Sequence, residues 1–410
     1  MVSISRLLCG VETPGDALRY GQRSLGLPPQ YMHSTLDRKP VVVWNITRRC
    51  NLHCAQCYAE ARDREFDGEL TTDEGKKVLR DLSEFGVPFV VWSGGEPLTR
   101  PDIFDLAAYA KSLGLPSVLS TNGTLLTTDA ARLLKDLDFQ YVGVSIDGIG
   151  SVHDKNRGKR LAFSNALEGI RRLQEVSVRV GIHFTMHKLN MNELPAVFDL
   201  IEEEGIPRLC IYHLVPSGRG EKIQRLDLTS DETRTQLDYI FGRVEDFHRR
   251  GIYKDILTVD NAADAIYLYL RVLNKQPERA EEVRKLLAWN GGNQSGVGLA
   301  CIDNTGGVHP DQFSWHYSFG NVRERLFSEI WRDPSDPVMR VLKNRRHFIK
   351  GRCGHCLHID LCNGNLRARA EALTGDFLAP DPGCYLHDSE VLASAPAEEA
   401  TTALERRLSA

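Results

Sequence analysis

From about Val41 to His213 the chain repeats one rhythm: a short apolar run, a turn, then an amphipathic stretch of helical period. The apolar runs predict strands at Val41–Ile46, Phe89–Ser93, Ser117–Ser120, Tyr141–Ile146, Arg179–Met186 and Leu209–His213. The stretches between them predict helices at Asp73–Phe85, Asp102–Leu113, Asp129–Leu137, Ser164–Glu175 and Glu193–Glu204. β-Branched runs alternating with helical periodicity argue for a parallel sheet. Thr71 and Glu74 have the spacing of a capping box. Six strand–helix units suit an α/β fold, an open partial (β/α)6 barrel of the TIM type. In parallel barrels reactive groups gather at the C-terminal ends of the strands.

After Leu228 the strand rhythm stops, and helices are predicted at about 231–249, 261–273 and 278–289. The run Gly291–Gly298 is a flexible loop or a place of close approach to a ligand. Gly298–His309 has the pattern of a hairpin with an Asp-Asn-Thr-Gly-Gly turn. Phe319–Trp331 predicts a loop leading into a short helix. The end of the chain, from about Ala393, is Ala- and Glu-rich with little apolar material, as a frayed or disordered tail is. The expected divisions are an N-terminal extension (1–40), a barrel core (41–227), a helical linker and lid (228–295), a C-terminal domain (296–390) and the tail (391–410).

Composition narrows the class only modestly. The 410 residues are 42% hydrophobic and 26% charged, as in an ordinary globular protein. A net charge of −4 gives no electrostatic reason to expect nucleic acid. No apolar run reaches the ~18 residues of a membrane helix, and the opening has no sustained signal-peptide core. Ten cysteines are too few for a disulfide scaffold. Seven of them fall in two tight groups, which points to metal ligation in a reducing cytoplasm.

The first group is Cys50, Cys54 and Cys57, spaced C-x-x-x-C-x-x-C on the loop after the first strand. Three thiolates on one short loop fit three corners of a cubane iron–sulfur cluster and leave the fourth iron open to a chelating cosubstrate. A zinc site is the rival, although zinc prefers four protein ligands. This spacing, with Tyr58 after it, resembles the radical S-adenosylmethionine (SAM) superfamily. There SAM chelates the free iron, and one-electron reduction cleaves it to a 5′-deoxyadenosyl radical.

Further motifs sit at the predicted ends of later strands. Ser93-Gly94-Gly95-Glu96-Pro97 resembles the superfamily's GGEP motif, whose backbone and Glu address the SAM amino group; alone it would read as a turn. Asn122, in Ser-Thr-Asn-Gly-Thr, is either a SAM contact or a helix cap. Ser145, before Asp147-Gly148, resembles the usual ribose or carboxylate contact, with an Asx turn as the plain alternative. Arg157 and Lys188 fall near strand tops, and Arg offers a bidentate fork to the SAM carboxylate or an acidic substrate. Arg219 lies after the sixth strand, where the superfamily places adenine and substrate contacts.

The second group is Cys353-x2-Cys356-x5-Cys362 with Cys384. Four cysteines also complete a zinc ribbon. The spacing resembles the end of a SPASM domain, the auxiliary-cluster extension of many radical SAM enzymes, and so implies one further [4Fe–4S] cluster. The family pattern has another Cys where Asn365 stands here, so a second auxiliary cluster is not expected. Cys301 is a replacement ligand or a thiol near the substrate. Cys9 and Cys210 are expected to be unligated.

Longer strings, among them residues 40–58, 258–283, 289–298, 308–331 and 350–376, resemble one branch of these enzymes, which modifies iron tetrapyrroles made from sirohaem. The opening, residues 4–21, is most similar to the deacetylase of that branch. The resemblance implies removal of two acetates from 12,18-didecarboxysirohaem to give iron-coproporphyrin III. The haem d1 enzyme of the same branch removes propionates instead. It also implies SAM, two [4Fe–4S] clusters, an iron-tetrapyrrole substrate and an electron donor such as flavodoxin or ferredoxin, with neither nucleic acid nor membrane as partner. His309 and His316, flanked by aromatic residues, are candidate axial ligands for the substrate iron, and Arg219 and Cys301 are further substrate candidates. A peptide maturase would need a recognition domain, and about 40 residues ahead of the barrel are few for one. A tetrapyrrole carrier that consumes no SAM is the non-enzymatic rival.

Overall fold

The expected strands form one sheet with four more added to it. A computed structural model describes residues 1–20 and 39–393. In chain order the strands are β1 (Val2–Ser3), β2 (Val41–Thr47), β3 (Val90–Gly94), β4 (Ser117–Thr121), β5 (Tyr141–Ser145), β6 (Val180–Met186), β7 (Arg208–His213), β8 (Asp255–Val259), β9 (Leu299–Ile302) and β10 (Val308–His309). Among the described residues the sheet order is β1-β8-β7-β6-β5-β4-β3-β2-β9-β10. From β2 to β8 every neighbour pair is parallel, and β9 adds in parallel to β2. Parallel strands need helical crossovers, which the helices Thr72–Phe85, Ile103–Ser112, Thr128–Asp136, Ala162–Glu175 and Leu194–Glu203 supply. The capping box at Thr71 and Glu74 starts the first of these.

The linker expected over 228–295 is corrected in one respect. Its helices are present at Ser230–Arg249, Ala263–Lys275 and Ala280–Asn290, but between them β8 joins the core sheet. Each of its five residues, Asp-Ile-Leu-Thr-Val, is buried. A strand covered on both faces shows no alternation, so a run this short is hidden between helical patterns. The N-terminal stretch is tied to the same edge. β1 pairs antiparallel with β8, and the Ser5 hydroxyl donates to Lys254 O at 2.7 Å. The helix Ser151–Arg157 was also not anticipated from the sequence.

The predicted hairpin forms, with His309 opposite Cys301, and its first strand extends the barrel sheet past β2. The short helix at Phe327–Arg332 follows as expected. Beyond it the helices are short and joined by loops, whose buried backbone carbonyls need other donors. Arg345, Arg367 and Arg369 are all buried and serve them. Arg367 Nη1 donates to Phe377 O and Ala379 O, at 3.0 and 2.7 Å, and Arg369 Nη2 donates to Asp260 O at 2.9 Å. Arg369 also pairs with the buried Asp381 at 3.1 Å. The tail from residue 394 lies outside the described residues. No helix among the described residues is long and apolar enough to cross a membrane.

Candidate functional site

β2 carries an irregularity between Asn45 and Thr47 against β3, and the chain leaves it into the cysteine loop. Bulges redirect a strand end in this way. The loop lacks regular structure and is fastened from three sides. Cys50 N donates to Arg62 O at 3.0 Å, His53 N to Arg157 O at 3.0 Å, and Ala55 N to Asn156 O at 3.1 Å. Gly95 N and Glu96 N donate to Thr47 O and Arg49 O, each at 2.8 Å. The buried Arg219 donates Nε to Cys54 O and Nη1 to Ala61 O, each at 2.8 Å. The approach of Gly95 and Glu96 to this loop explains the glycines of Ser-Gly-Gly-Glu-Pro. A Cβ on Gly95 would stand 2.1 Å from Arg49 O, and one on Gly94, at φ +128, 2.2 Å from Thr47 O.

Each thiol faces an N–H. Leu52 N lies 3.4 Å from Cys50 Sγ, Ala61 N 3.4 Å from Cys57 Sγ, and Arg157 Nη1 3.6 Å from Cys54 Sγ. Asn122 Nδ2 stands 3.8 Å from Cys50 Sγ. Burial and the neighbouring cysteines push the Cys50 thiol up to about 12. Burial also raises Cys54, against the pull of Arg157. Thiols held this way ionise when a cationic group takes the proton's place. Behind them, Arg157 Nη2 pairs with the fully buried Asp147 at 2.7 Å. Asp147 also accepts from Thr185 N at 2.9 Å and from Gln56 Nε2.

Glu96 is completely buried. Its carboxylate accepts from Thr121 Oγ1 at 2.8 Å, Asn122 N at 2.7 Å and Leu98 N at 3.1 Å. Asn122 Oδ1 in turn accepts from Thr124 N at 2.9 Å, so Asn122 both shapes its turn and faces a cysteine. Tyr58 donates its hydroxyl to Asn45 Oδ1 at 2.8 Å, and Asn45 Nδ2 donates to Cys301 Sγ at 3.1 Å. Phe313 and Trp315 meet the Tyr58 ring edge-on, with centroids 5.6 and 6.4 Å away. The Arg48 guanidinium lies 5.8 Å from the Trp315 ring. Ser145 ends β5, half-buried, with no hydroxyl partner among the described residues.

The second cysteine group is also gathered. Burial raises Cys362 most, followed by the nearby Cys384, Cys353 and Cys356. His358 N lies 3.4 Å from Cys356 Sγ, and Arg352 Nη1 3.7 Å from Cys384 Sγ. The glycine loop passes directly behind: a Cβ on Gly292 would stand 2.2 Å from Cys362 O. Among the described residues no three Cys, His, Asp or Glu side chains converge as a site for a single metal ion. The fit to iron–sulfur groups at both places therefore rests on the facing thiols and their N–H donors.

The Radical SAM superfamily profile matches residues 44–201. Fe-coproporphyrin III synthase of Methanosarcina barkeri is 52% identical over 394 residues, 95% of this chain and 99% of that protein. The chain belongs to the radical SAM superfamily. Pre-heme d1 synthase of Dinoroseobacter shibae is 42% identical over 365 residues, 88% of this chain and 90% of the relative. Among solved structures, Streptococcus suis SuiB bound to precursor peptide SuiA has a TM-score of 0.68 at 17% identity, covering 89% of this chain and 82% of that one. That likeness concerns the fold alone.

As a radical SAM enzyme the protein uses a [4Fe–4S] cluster and SAM. Several expected substrate contacts are placed otherwise. Both ring nitrogens of the buried His309 are engaged, Nδ1 with Tyr317 O at 2.9 Å and Nε2 with Asp303 at 2.8 Å, so it has no nitrogen left for an iron. His316 is exposed and its Nε2 lies 2.9 Å from Glu371. Arg219 straps the cysteine loop, with only Nη2 left unpartnered. Lys188 faces Glu232 at 3.8 Å. Cys301 is buried in β9 and accepts from Asn45 Nδ2. Asn365 uses its amide instead of a thiol: Nδ2 donates to Asn261 Oδ1 at 2.8 Å, and Oδ1 accepts from Ala262 N at 2.7 Å. Cys9 is half-buried at a helix end, and Cys210 is buried in β7. Asp147 and Asn45 were missed as members of the site. The signal for Asn45 was an amide inside an otherwise apolar strand.

Proposed function

We propose that this chain removes the two acetate side chains of 12,18-didecarboxysirohaem to give iron-coproporphyrin III, in sirohaem-dependent haem biosynthesis in the cytoplasm. The observation that carries this reading is the 52% identity, over nearly the whole of both chains, to a protein named Fe-coproporphyrin III synthase. Cys50, Cys54 and Cys57 hold the cluster that binds SAM, and Cys353, Cys356, Cys362 and Cys384 hold a second [4Fe–4S] cluster within an extension over 296–390. When bound and reduced, SAM at the first cluster supplies a 5′-deoxyadenosyl radical.

The residues of the chain act by placement. Glu96 and the two glycines fix the loop edge that faces the SAM amino group. Arg157 and Ser145 serve its polar groups, with Asp147 holding the guanidinium in position. Asn122 and Tyr58 border the cysteine loop. Tyr58, Phe313 and Trp315, with Arg48 above them, suit a flat macrocycle that carries carboxylates. Loss of two acetates restores aromaticity to the macrocycle, which gives the reaction a thermodynamic pull. A flavodoxin or ferredoxin supplies electrons.

The test is one anaerobic assay with reductant, SAM and 12,18-didecarboxysirohaem, read by product mass. The expected products are 5′-deoxyadenosine, iron-coproporphyrin III and acetate, two acetates per macrocycle because two rings each carry one. The identity to pre-heme d1 synthase supports a second reading, in which propionates leave and both acetates stay. A product of that mass decides for it. Tight macrocycle binding with neither turnover nor SAM cleavage, under a reductant that drives SAM cleavage in another radical SAM enzyme, decides for a carrier.

A further inference from the structure

We propose that the rim formed by residues 155–161 and Arg62 is the docking surface for a small acidic one-electron carrier protein. The inference rests on the reading that Cys50, Cys54 and Cys57 hold the SAM-binding cluster. Lys155, Lys159 and Arg160 follow one another on the segment that abuts the outer side of the cysteine loop. That segment accepts hydrogen bonds from His53 N and Ala55 N through Arg157 O and Asn156 O, at 3.0 and 3.1 Å. Lys159 Nζ reaches Asn51 O at 3.2 Å. Arg62 stands on the other side, its carbonyl on Cys50 N.

All four cationic side chains are exposed, and Arg62, Lys155 and Arg160 have no ion-pair partner among the described residues. The two carboxylates closest in sequence are engaged elsewhere. Asp63 pairs with Arg49 at 3.1 Å, and Asp154 accepts from Leu161 N and Phe163 N at 2.7 and 2.9 Å. This local excess of positive charge stands on a chain of net charge −4.

Next to Arg160 on this segment is Leu161. It is 61% exposed and sits at φ +62, in the left-handed region, held there by Asp154. A strained backbone that presents an exposed apolar side chain persists where the surroundings over-determine it, commonly at functional sites. An exposed apolar side chain beside like charges suits a protein contact with a partner of opposite charge. The place is also the right one for an electron. The segment is bonded directly to the cysteine loop, at His53 N and Ala55 N on either side of Cys54. One electron leaves the carrier, which is oxidised by one, and enters the iron–sulfur group, which is reduced by one.

The test compares reductants in the reconstituted full chain. SAM cleavage to 5′-deoxyadenosine is measured without tetrapyrrole, driven by reduced flavodoxin, by reduced ferredoxin or by dithionite. Lys155→Glu with Arg160→Glu should lower the carrier-driven rate by about tenfold and flatten its salt dependence. Iron content and the dithionite-driven rate should stay as in the unaltered protein. Leu161→Gly removes the anchor while relieving the left-handed strain, so its melting temperature should hold or rise while carrier affinity falls. Unchanged carrier-driven rates in both variants overturn the proposal. So does a raised KM for the tetrapyrrole under dithionite with carrier coupling intact, which would make the patch a substrate entrance. No dithionite-driven cleavage in the unaltered protein would instead overturn the cluster reading itself.

Discussion

Under the proposed function, Glu96 acts on SAM binding without touching the chemistry. Its buried carboxylate has three donors and no cation, and burial raises its pKa. Glu96→Ala leaves Thr121 Oγ1 and Asn122 N without an acceptor, each loss costing about 1–3 kcal/mol. The expected result is a lower unfolding midpoint and weaker SAM binding by calorimetry, with iron content unchanged because no ligand is lost. Unaltered SAM affinity would make the segment a turn and nothing more. His153 is the complementary case. It is fully buried, its Nδ1 accepts from Asp147 N at 3.0 Å, and burial depresses it from 6.5 to about 4. The unfolded chain therefore takes up the proton first. Stability from the neutral ring is complete above pH 6.5 and is lost as pH falls through about 4. Between those values each step of one in pH removes roughly 1.4 kcal/mol. Denaturant unfolding at about pH 7.5, 5.5 and 4.5 should show this loss, and His153→Gln should lessen it. Equal pH slopes in the two proteins would assign the loss to other groups.

At the scale of the element, the decisive contact is between two loops at strand ends. The glycines at the end of β3 let that loop pass beneath the carbonyls of the cysteine loop, where no side chain fits. Gly95→Ala brings a Cβ against backbone, which cannot swing aside as a flexible side chain can. The first strand–helix units should still fold, seen as retained far-ultraviolet dichroism. Iron bound after anaerobic reconstitution should fall, with the loss confined to the first cluster. Full iron retention would show that the cysteine loop tolerates the shift. The same scale explains the extension. Its short helices leave loop carbonyls buried between them, and three buried arginines serve these, which is why Arg367→Met should destabilise the chain more than a change of surface charge would.

For the whole molecule, the two cysteine groups predict about eight iron atoms per chain after anaerobic reconstitution. Serine at Cys50, Cys54 and Cys57 together should leave about four and abolish SAM cleavage, and serine at Cys353, Cys356 and Cys362 should remove the other four. Metal analysis of protein prepared with native metals checks the second group separately, since stoichiometric zinc there would exclude an auxiliary cluster.

The sequence by itself determined the six central strands, their helices, the hairpin, and the cysteine spacings. Each of these is local: a period, a cap or a short interval along one segment. The six strands fall within a residue or so of their expected bounds because apolar runs and turn residues mark them directly. Tertiary structure alone decided that β8 and β9 close onto the barrel sheet: β8 is a five-residue run buried on both faces and carries no period, and a hairpin strand such as β9 does not name its outer neighbour. It also decided the partners of long polar side chains. His309, Arg219 and Glu96 each looked available to a ligand, and each is engaged by groups 2 to 165 residues away in the chain. Hydrogen-bond valence is filled in space, so no spacing along the sequence records whether a donor has been left free.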